Sequence, residues 1–263
     1  MQQRLKHMGR SYQSEEAARR KQPYSHGQFT PGAIASTWSL VTNRALKQGN
    51  LQFRPAIRYA AQMNSEKKMN SSQILTRSPE LMSRADTALL VVDVQTKLIS
   101  LVPGHDHLVW NIRRLIDGAK VLGLPVLGSE QYPQGLGPTV PRLAALIGPM
   151  PAKVDFSCAG CPEIAPALDA AGIHKVLVVG IEAHVCVQQT VLDLIAASFR
   201  VYVVVDAVGS RFDIDYQTAL RRMESSGATL TTTEAALFEW CQRAGTPEFK
   251  QISALVRESG PGA

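Results

Sequence analysis

The sequence is poor in cysteine and in aromatic residues, and it has no long uncharged apolar run. Its 263 residues include four cysteines, 6% aromatics and 45% hydrophobic residues. So few cysteines cannot form a disulfide scaffold. No apolar leader core followed by a small-residue cleavage site opens the chain, so a reducing, cytoplasmic setting is expected. No stretch of about 18 residues is free of charged and polar side chains, which leaves nothing to span a bilayer. Three nucleotide and nucleophile signatures are missing too: a G-x-G-x-x-G after the first strand, a G-x-x-x-x-G-K-[ST] loop and a G-x-S-x-G elbow. Dinucleotide oxidoreductases, P-loop NTPases and serine α/β-hydrolases are thereby set aside.

Net charge is confined to one end. Residues 1–70 hold 12 Lys and Arg against Glu15, Glu16 and Glu66, a net +9, whereas residues 71–263 hold 16 against 19, a net −3. The first segment is rich in Gln, Ser, Asn and Arg and poor in aliphatic periodicity, so it lacks the apolar area that offsets the entropy of ordering. Residues 1–80 therefore read as a basic, disordered extension, and residues 81–263 as the folded domain. Three readings of the extension stay open: an organellar transit peptide, which would move the protein to the mitochondrion or another organelle; an artefact of start-site choice, with Met63, Met69 and Met82 just ahead of the first strong strand; and a nucleic-acid-binding arm. Scattered basic residues without aromatic interleaving argue against the arm, so no nucleic-acid partner is expected.

From Thr87 the pattern becomes short apolar runs alternating with amphipathic segments. Residues 88–94, A-L-L-V-V-D-V, have the length and continuity of a strand buried on both faces. Residues 108–122 place apolar side chains at helical spacing and stop at Gly123. Further strands are expected at 125–128, 175–180, 200–205 and 229–232, and helices at 185–197, 213–226 and 234–243. This alternation predicts a three-layer α/β/α fold with a mostly parallel, Rossmann-like sheet of about six strands. In such sheets ligands bind beyond the carboxyl ends of the strands, which directs attention to Asp93, to residues 129–141 and to residues 180–186.

Residues 180–186, G-I-E-A-H-V-C, put the thiol of Cys186 just past a strand at the start of a helix. The free N–H groups there would favour thiolate, although an isolated cysteine in an apolar helix also fits plain packing. An acid in an apolar strand is costly unless partnered, and Lys153 in the run A-K-V-D-F offers Asp93 that partner. Cys158 and Cys161, in C-A-G-C-P, suggest a dithiol redox pair, but the Trp and the early β-α-β unit of thioredoxin-like proteins are missing. Cys158, Cys161, His184 and Cys186 together make a zinc set that would consume the nucleophile; no metal and no cofactor are expected. Cys241 reads as core.

Four strings carry a family likeness: residues 130–141, E-Q-Y-P-Q-G-L-G-P-T-V-P; residues 180–186; residues 204–207, V-V-D-A; and residues 247–252, P-E-F-K-Q-I. On them, residues 88–258 resemble the isochorismatase-like cysteine hydrolases, and within that group the isochorismatase domain-containing proteins. The resemblance implies a catalytic triad of Asp93, Lys153 and Cys186, with backbone N–H groups of Glu182 and Cys186 as the oxyanion hole and a cis Ile181–Glu182 bond. It also implies association into a homo-oligomer beside the active edge. Lys153 would stabilise the thiolate and Asp93 would shuttle the proton. Where nicotinamidases of the family carry a metal-binding D-x-H, this chain has S-E-Q-Y at residues 129–132, so metal-assisted binding of a pyridine is not expected. A retained cysteine favours amide, imide or ureido C–N cleavage over vinyl-ether hydrolysis. Gln95, Gln131, Tyr132, Phe156 and His184 are the expected pocket lining for a small-molecule substrate. A catalytically silent binding or scaffold protein of the same fold is the reading from another class.

Overall fold

The first strand, β1 (Thr87–Val92), is buried along its whole length, and its alternate side chains serve two different cores. Leu89 and Val91 join Ile112, Leu115 and Ile116 on one face, while Ala88, Leu90 and Val92 join Val187 and Val191 on the other. A strand with two apolar faces needs helices on both sides, which is why the run is continuous rather than alternating. The structure, a computed structural model, describes residues 76–262.

After β1 come α1 (Thr96–Ile99), α2 (His105–Leu122), β2 (Val126–Gln131), α3 (Pro133–Leu136), α4 (Pro141–Ile147) and β3 (Ala152–Lys153). A 3-10 turn (Cys158–Gly160), α5 (Ile164–Ala170), β4 (Lys175–Ile181), a π-helical turn (Ala183–Val187) and α6 (Gln188–Ala196) follow. The chain continues through β5 (Arg200–Gly209), α7 (Asp213–Ser225), β6 (Thr229–Thr231), α8 (Thr233–Cys241) and α9 (Pro247–Val256). The six strands form one parallel sheet in the order β3-β2-β1-β4-β5-β6. The fold is thus the expected three-layer α/β. The winding direction reverses between β1 and β4, and the crevice beyond their carboxyl ends is the position such sheets reserve for ligands.

Some boundaries differ from the sequence reading. β2 runs to Gln131 instead of stopping at Gly128, so Ser129, Glu130 and Gln131 are strand residues. β3 has only two residues, too few for any periodicity, and α4, α5 and α9 are likewise missing from the reading. The helix expected from residue 185 begins as the π-helical turn and becomes α only at Gln188.

Two of the four family strings are architectural. In V-V-D-A, Asp206 accepts from the backbone N–H of Thr233 at 2.8 Å and so holds the start of α8 against β5. In P-E-F-K-Q-I, Pro247 opens α9 after Thr246, whose hydroxyl accepts from the N–H of Phe249, and Ile252 enters the core. Residues 77–82 are tied to the domain: Met82 is buried, and the Arg77 guanidinium donates to the carbonyls of Met82 and Glu239. The disordered extension expected over residues 1–80 lies, up to residue 75, outside the described residues. No helix among the described residues is long and apolar enough to cross a membrane.

Gly180 is where β4 meets both neighbours. It pairs with Val92 of β1, interrupts the register with β5 and has φ +119°. A Cβ there would lie 2.0 Å from the Val92 carbonyl oxygen. Gly180→Ala combines backbone strain with a backbone clash, so it should lower stability by more than about 3 kcal/mol, measured by urea denaturation.

Candidate active site

Asp93 follows the last residue of β1 at φ 51°, a left-handed conformation that Asp tolerates better than most residues. It is fully buried. Its Oδ2 accepts from Lys153 Nζ at 2.7 Å, and its Oδ1 accepts from the hydroxyl of Ser129, also at 2.7 Å. β2 supplies Ser129 and β3 supplies Lys153, so both partners come from the strands wound outward from β1. Lys153 Nζ also donates to Gln131 Oε1 at 2.7 Å and to the carbonyls of Phe156 and Asp155. Burial works against the ammonium, yet the Asp93 carboxylate carries its pKa above the ordinary lysine range.

Cys186 reaches the same point from the other side of the reversal, in the π-helical turn after β4, and is 6% exposed. Its thiol stands 4.0 Å from Gln131 Oε1, the oxygen that also accepts from Lys153 Nζ, and so lies within range of the Asp93 charge. The structure therefore brings Asp93, Lys153 and Cys186 together. Its electrostatics correct one expectation. Burial pushes the Cys186 thiol well up, the Asp93 charge adds to that, and Lys153 offsets only part. The Asp93 carboxylate paired with the ammonium acts on the sulfur with the opposite sign and cancels its effect. The resting site sets a buried ion pair near a thiol whose ionisation burial and the Asp93 charge both oppose.

Glu182 follows a cis Ile181–Glu182 peptide, and its buried carboxylate accepts from the Arg211 backbone and guanidinium at 3.1 and 3.0 Å. Gln95, expected to line a pocket, is fully buried with its amide used on backbone. Its Nε2 donates to the carbonyls of Gln131 and Gly137, and its Oε1 accepts from the Gln131 N–H. It stitches the loop after β1 to residues 130–141, where Glu130 also accepts from the N–H of Thr139. That string is thus largely a positioning loop. Gln131 bridges Lys153 and the Val154 carbonyl. Tyr132 and Phe156 are about half exposed, at 54% and 51%, and follow and flank the buried groups. His184 turns away, with Nδ1 at 3.0 Å from Ser210 Oγ and Nε2 at 3.8 Å from Asp215.

The rival ligand sets do not assemble. Among the described residues no group of three or more His, Cys, Asp or Glu is arranged to hold a metal, and His184 faces Ser210. Cys158 and Cys161 are free and buried. Burial pushes both thiols up, Cys161 to about 11, the opposite of an activated dithiol. A cleft of about 290 Å³ lined by His107, Asp206, Ser210, Asp213 and Tyr216, among others, opens near the end of β5 but contains none of the triad. The sequence reading missed Ser129 and Thr190 as partners in the site. Nothing in a single Ser or Thr announces this, and only the β1–β2 pairing puts Ser129 beside Asp93.

The sequence model of the isochorismatase domain matches residues 87–235. The chain belongs to the isochorismatase family. Among curated isochorismatase relatives, isochorismatase domain-containing protein 1 of Danio rerio is 37% identical over 185 residues, covering 68% of this chain and 64% of the relative. The chain thus spans just under two thirds of that relative's length. Of solved structures with this isochorismatase fold, a MAR1 ribonuclease from Caenorhabditis elegans is 39% identical, with a TM-score of 0.64 over 69% of this chain and 94% of that one. YcaC from Pseudomonas aeruginosa, solved with hexane-2,5-diol and covalent acrylamide, is 26% identical with a TM-score of 0.63, over 68% and 93%. The YcaC gene product of Escherichia coli, described as an octameric hydrolase of unknown specificity, is 28% identical with a TM-score of 0.62, over 68% and 92%.

Removing one member of the buried ion pair strands the other. Lys153→Met should destabilise the fold by about 3 to 5 kcal/mol. Adding Asp93→Asn to it should recover part of that loss. Urea midpoints for the two single variants and the double variant test this, and strict additivity would show the pair to be uncoupled.

Proposed function

We propose that the chain is a cysteine hydrolase that cleaves the C–N bond of a small neutral amide, imide or ureido compound through a thioester. The observation that carries this reading is the Cys186 thiol 4.0 Å from Gln131 Oε1, an oxygen that accepts from the same Lys153 Nζ that pairs with buried Asp93. A neutral thiol beside a carboxylate is arranged for attack coupled to proton transfer rather than for a standing thiolate.

In the first half-reaction the Cys186 proton passes to Asp93 as sulfur bonds to the carbonyl carbon. The oxyanion is met by the backbone N–H groups of Glu182 and Cys186. When the tetrahedral centre collapses, the C–N bond breaks and Asp93 returns the proton to the departing nitrogen, leaving a thioester. Water then attacks, giving a proton to Asp93, and the C–S bond breaks with that proton restored to sulfur. Lys153 keeps the carboxylate in place and limits the charge that builds beside it. The hydrolase description of the Escherichia coli neighbour supports the reaction class. Covalent acrylamide in the Pseudomonas aeruginosa neighbour supports a fold that accepts a small electrophilic amide. Among the described residues no Arg pair stands near the site, which favours a neutral substrate, with Tyr132 and Phe156 at its mouth and no cofactor required. The octameric neighbour supports a homo-oligomer, and a cytoplasmic location remains our reading.

RNA cleavage is the second reading, raised by the ribonuclease at 39% identity. Against it stand the net −3 over residues 71–263 and a thiol–carboxylate pair that suits a carbonyl better than a phosphodiester. A panel of primary amides and ureido compounds assayed for ammonia release and of imides assayed for acid release, with an RNA oligomer as a parallel arm, separates the two. Release should occur with the wild type, vanish in Cys186→Ala and fall about 10²- to 10⁴-fold in Asp93→Asn. Turnover of RNA alone, or amide turnover that survives Cys186→Ala, would overturn the proposal.

A further inference from the structure

The mechanism above leaves one buried thiol unused. Cys158, in the C-A-G-C-P run, is 1% exposed, as is Ser129, and Thr190 is fully buried. Its backbone N–H donates to Thr190 Oγ1 at 2.9 Å. Thr190 lies on α6 four residues beyond Cys186, one helical turn from the nucleophile. The Cys158 thiol lies 3.3 Å from Ser129 Oγ, which is 2.7 Å from Asp93 Oδ1.

We propose that Cys158 is a positioning residue for this reaction, tying the helix that follows the nucleophile to Ser129, the β2 residue that holds the base. The donor directions permit only one arrangement. A carboxylate paired with Lys153 only accepts, so the Ser129 hydroxyl donates its single proton to Asp93. Ser129 Oγ then has only acceptor capacity left for Cys158, whose thiol must keep its proton. Burial and the Asp93 charge push that thiol up, in the direction the arrangement requires. The turn itself is fixed, because Ser157 Oγ accepts from the Ala159 N–H and the Cys161 N–H donates to the Cys158 carbonyl. One residue thus holds both reacting groups, through its backbone on one side and its side chain on the other.

Plain packing is the competing account, since Cys158 also belongs to the apolar cluster. The two accounts rank two substitutions in opposite order. Packing favours Cys158→Ala, which is apolar, over Cys158→Ser, which buries a hydroxyl. Positioning favours Cys158→Ser, which keeps the donor to Ser129.

The test is the rate at which acrylamide labels Cys186 in the purified full chain at neutral pH, read by mass spectrometry of the Cys186 peptide. It rests on the hydrolase reading. Cys158→Ala should slow labelling about tenfold or more, since small misplacement of reacting groups has effects of this size. Cys158→Ser should stay within about threefold of the wild type. Thr190→Val, which cuts the backbone arm and leaves Ser129 on Asp93, should also slow labelling and decides the matter if Cys158→Ala fails to fold. Labelling unchanged in Cys158→Ala, or slower in Cys158→Ser than in Cys158→Ala, overturns the proposal and leaves the hydrolase reading standing. If wild-type Cys186 labels no faster than the half-buried Cys241, the hydrolase reading falls and this proposal with it.

Discussion

A carboxylate and an ammonium held 2.7 Å apart out of water set the terms for everything around them. Neither ion is tolerable there alone, so the sheet must deliver both to one point, and the surrounding groups must complete their hydrogen bonds. β1 brings Asp93, β2 brings Ser129 and Gln131, and β3 exists for two residues, the second of which is Lys153. Gln95 then stitches the loops after β1 and β2 together, so that this edge of the crevice is rigid before any substrate arrives. Rigidity matters because the nucleophile comes from elsewhere, on a turn beyond β4, and meets the pair only if both sides of the crevice hold their places.

The same pair decides the state of the sulfur. A lysine free to face Cys186 would draw the thiol toward thiolate, but Lys153 faces Asp93, Gln131 and two carbonyls. What the thiol meets is burial and the carboxylate, and both raise its pKa. In the proposed reaction, proton transfer to Asp93 therefore accompanies attack, because burial and the carboxylate both oppose a standing thiolate. The buried dithiol run contributes to the same balance from behind, through Ser129.

Much of this was legible in the sequence, for physical reasons that also mark where reading had to stop. A continuous apolar run such as residues 88–92 admits only a strand covered on both faces, so the parallel sheet and its layers followed from pattern alone. Asp93 was visible because a carboxylate among aliphatic residues demands a partner. Cys186 was visible because it follows a strand and precedes a helix. Two-residue β3 carries no period, and the side-chain partnerships of Gln95, Ser129 and Thr190 depend on which strands and helices become neighbours. The side-chain partners of His184 and Gln95 are hidden from the sequence for the same reason. Their neighbours in sequence are at the site, but their side chains are spent on Ser210 and on backbone. Helix position and a nearby lysine point toward thiolate, whereas burial and the Asp93 charge act the other way, and neither is readable from sequence spacing.

The central claim is that Asp93 acts on Cys186 as a base and is not merely a charge beside it, and the two roles have opposite signs. As a charge alone, Asp93 disfavours thiolate, so Asp93→Asn would speed alkylation of Cys186. As the base, it is needed for attack while the thiol is neutral, so the same substitution would slow alkylation. The deciding measurement is the second-order rate of acrylamide addition to Cys186 at neutral pH in wild type and Asp93→Asn, followed on the Cys186 peptide by mass spectrometry. The account predicts a loss of about tenfold or more in the variant. A rate equal to or above that of the wild type would contradict it.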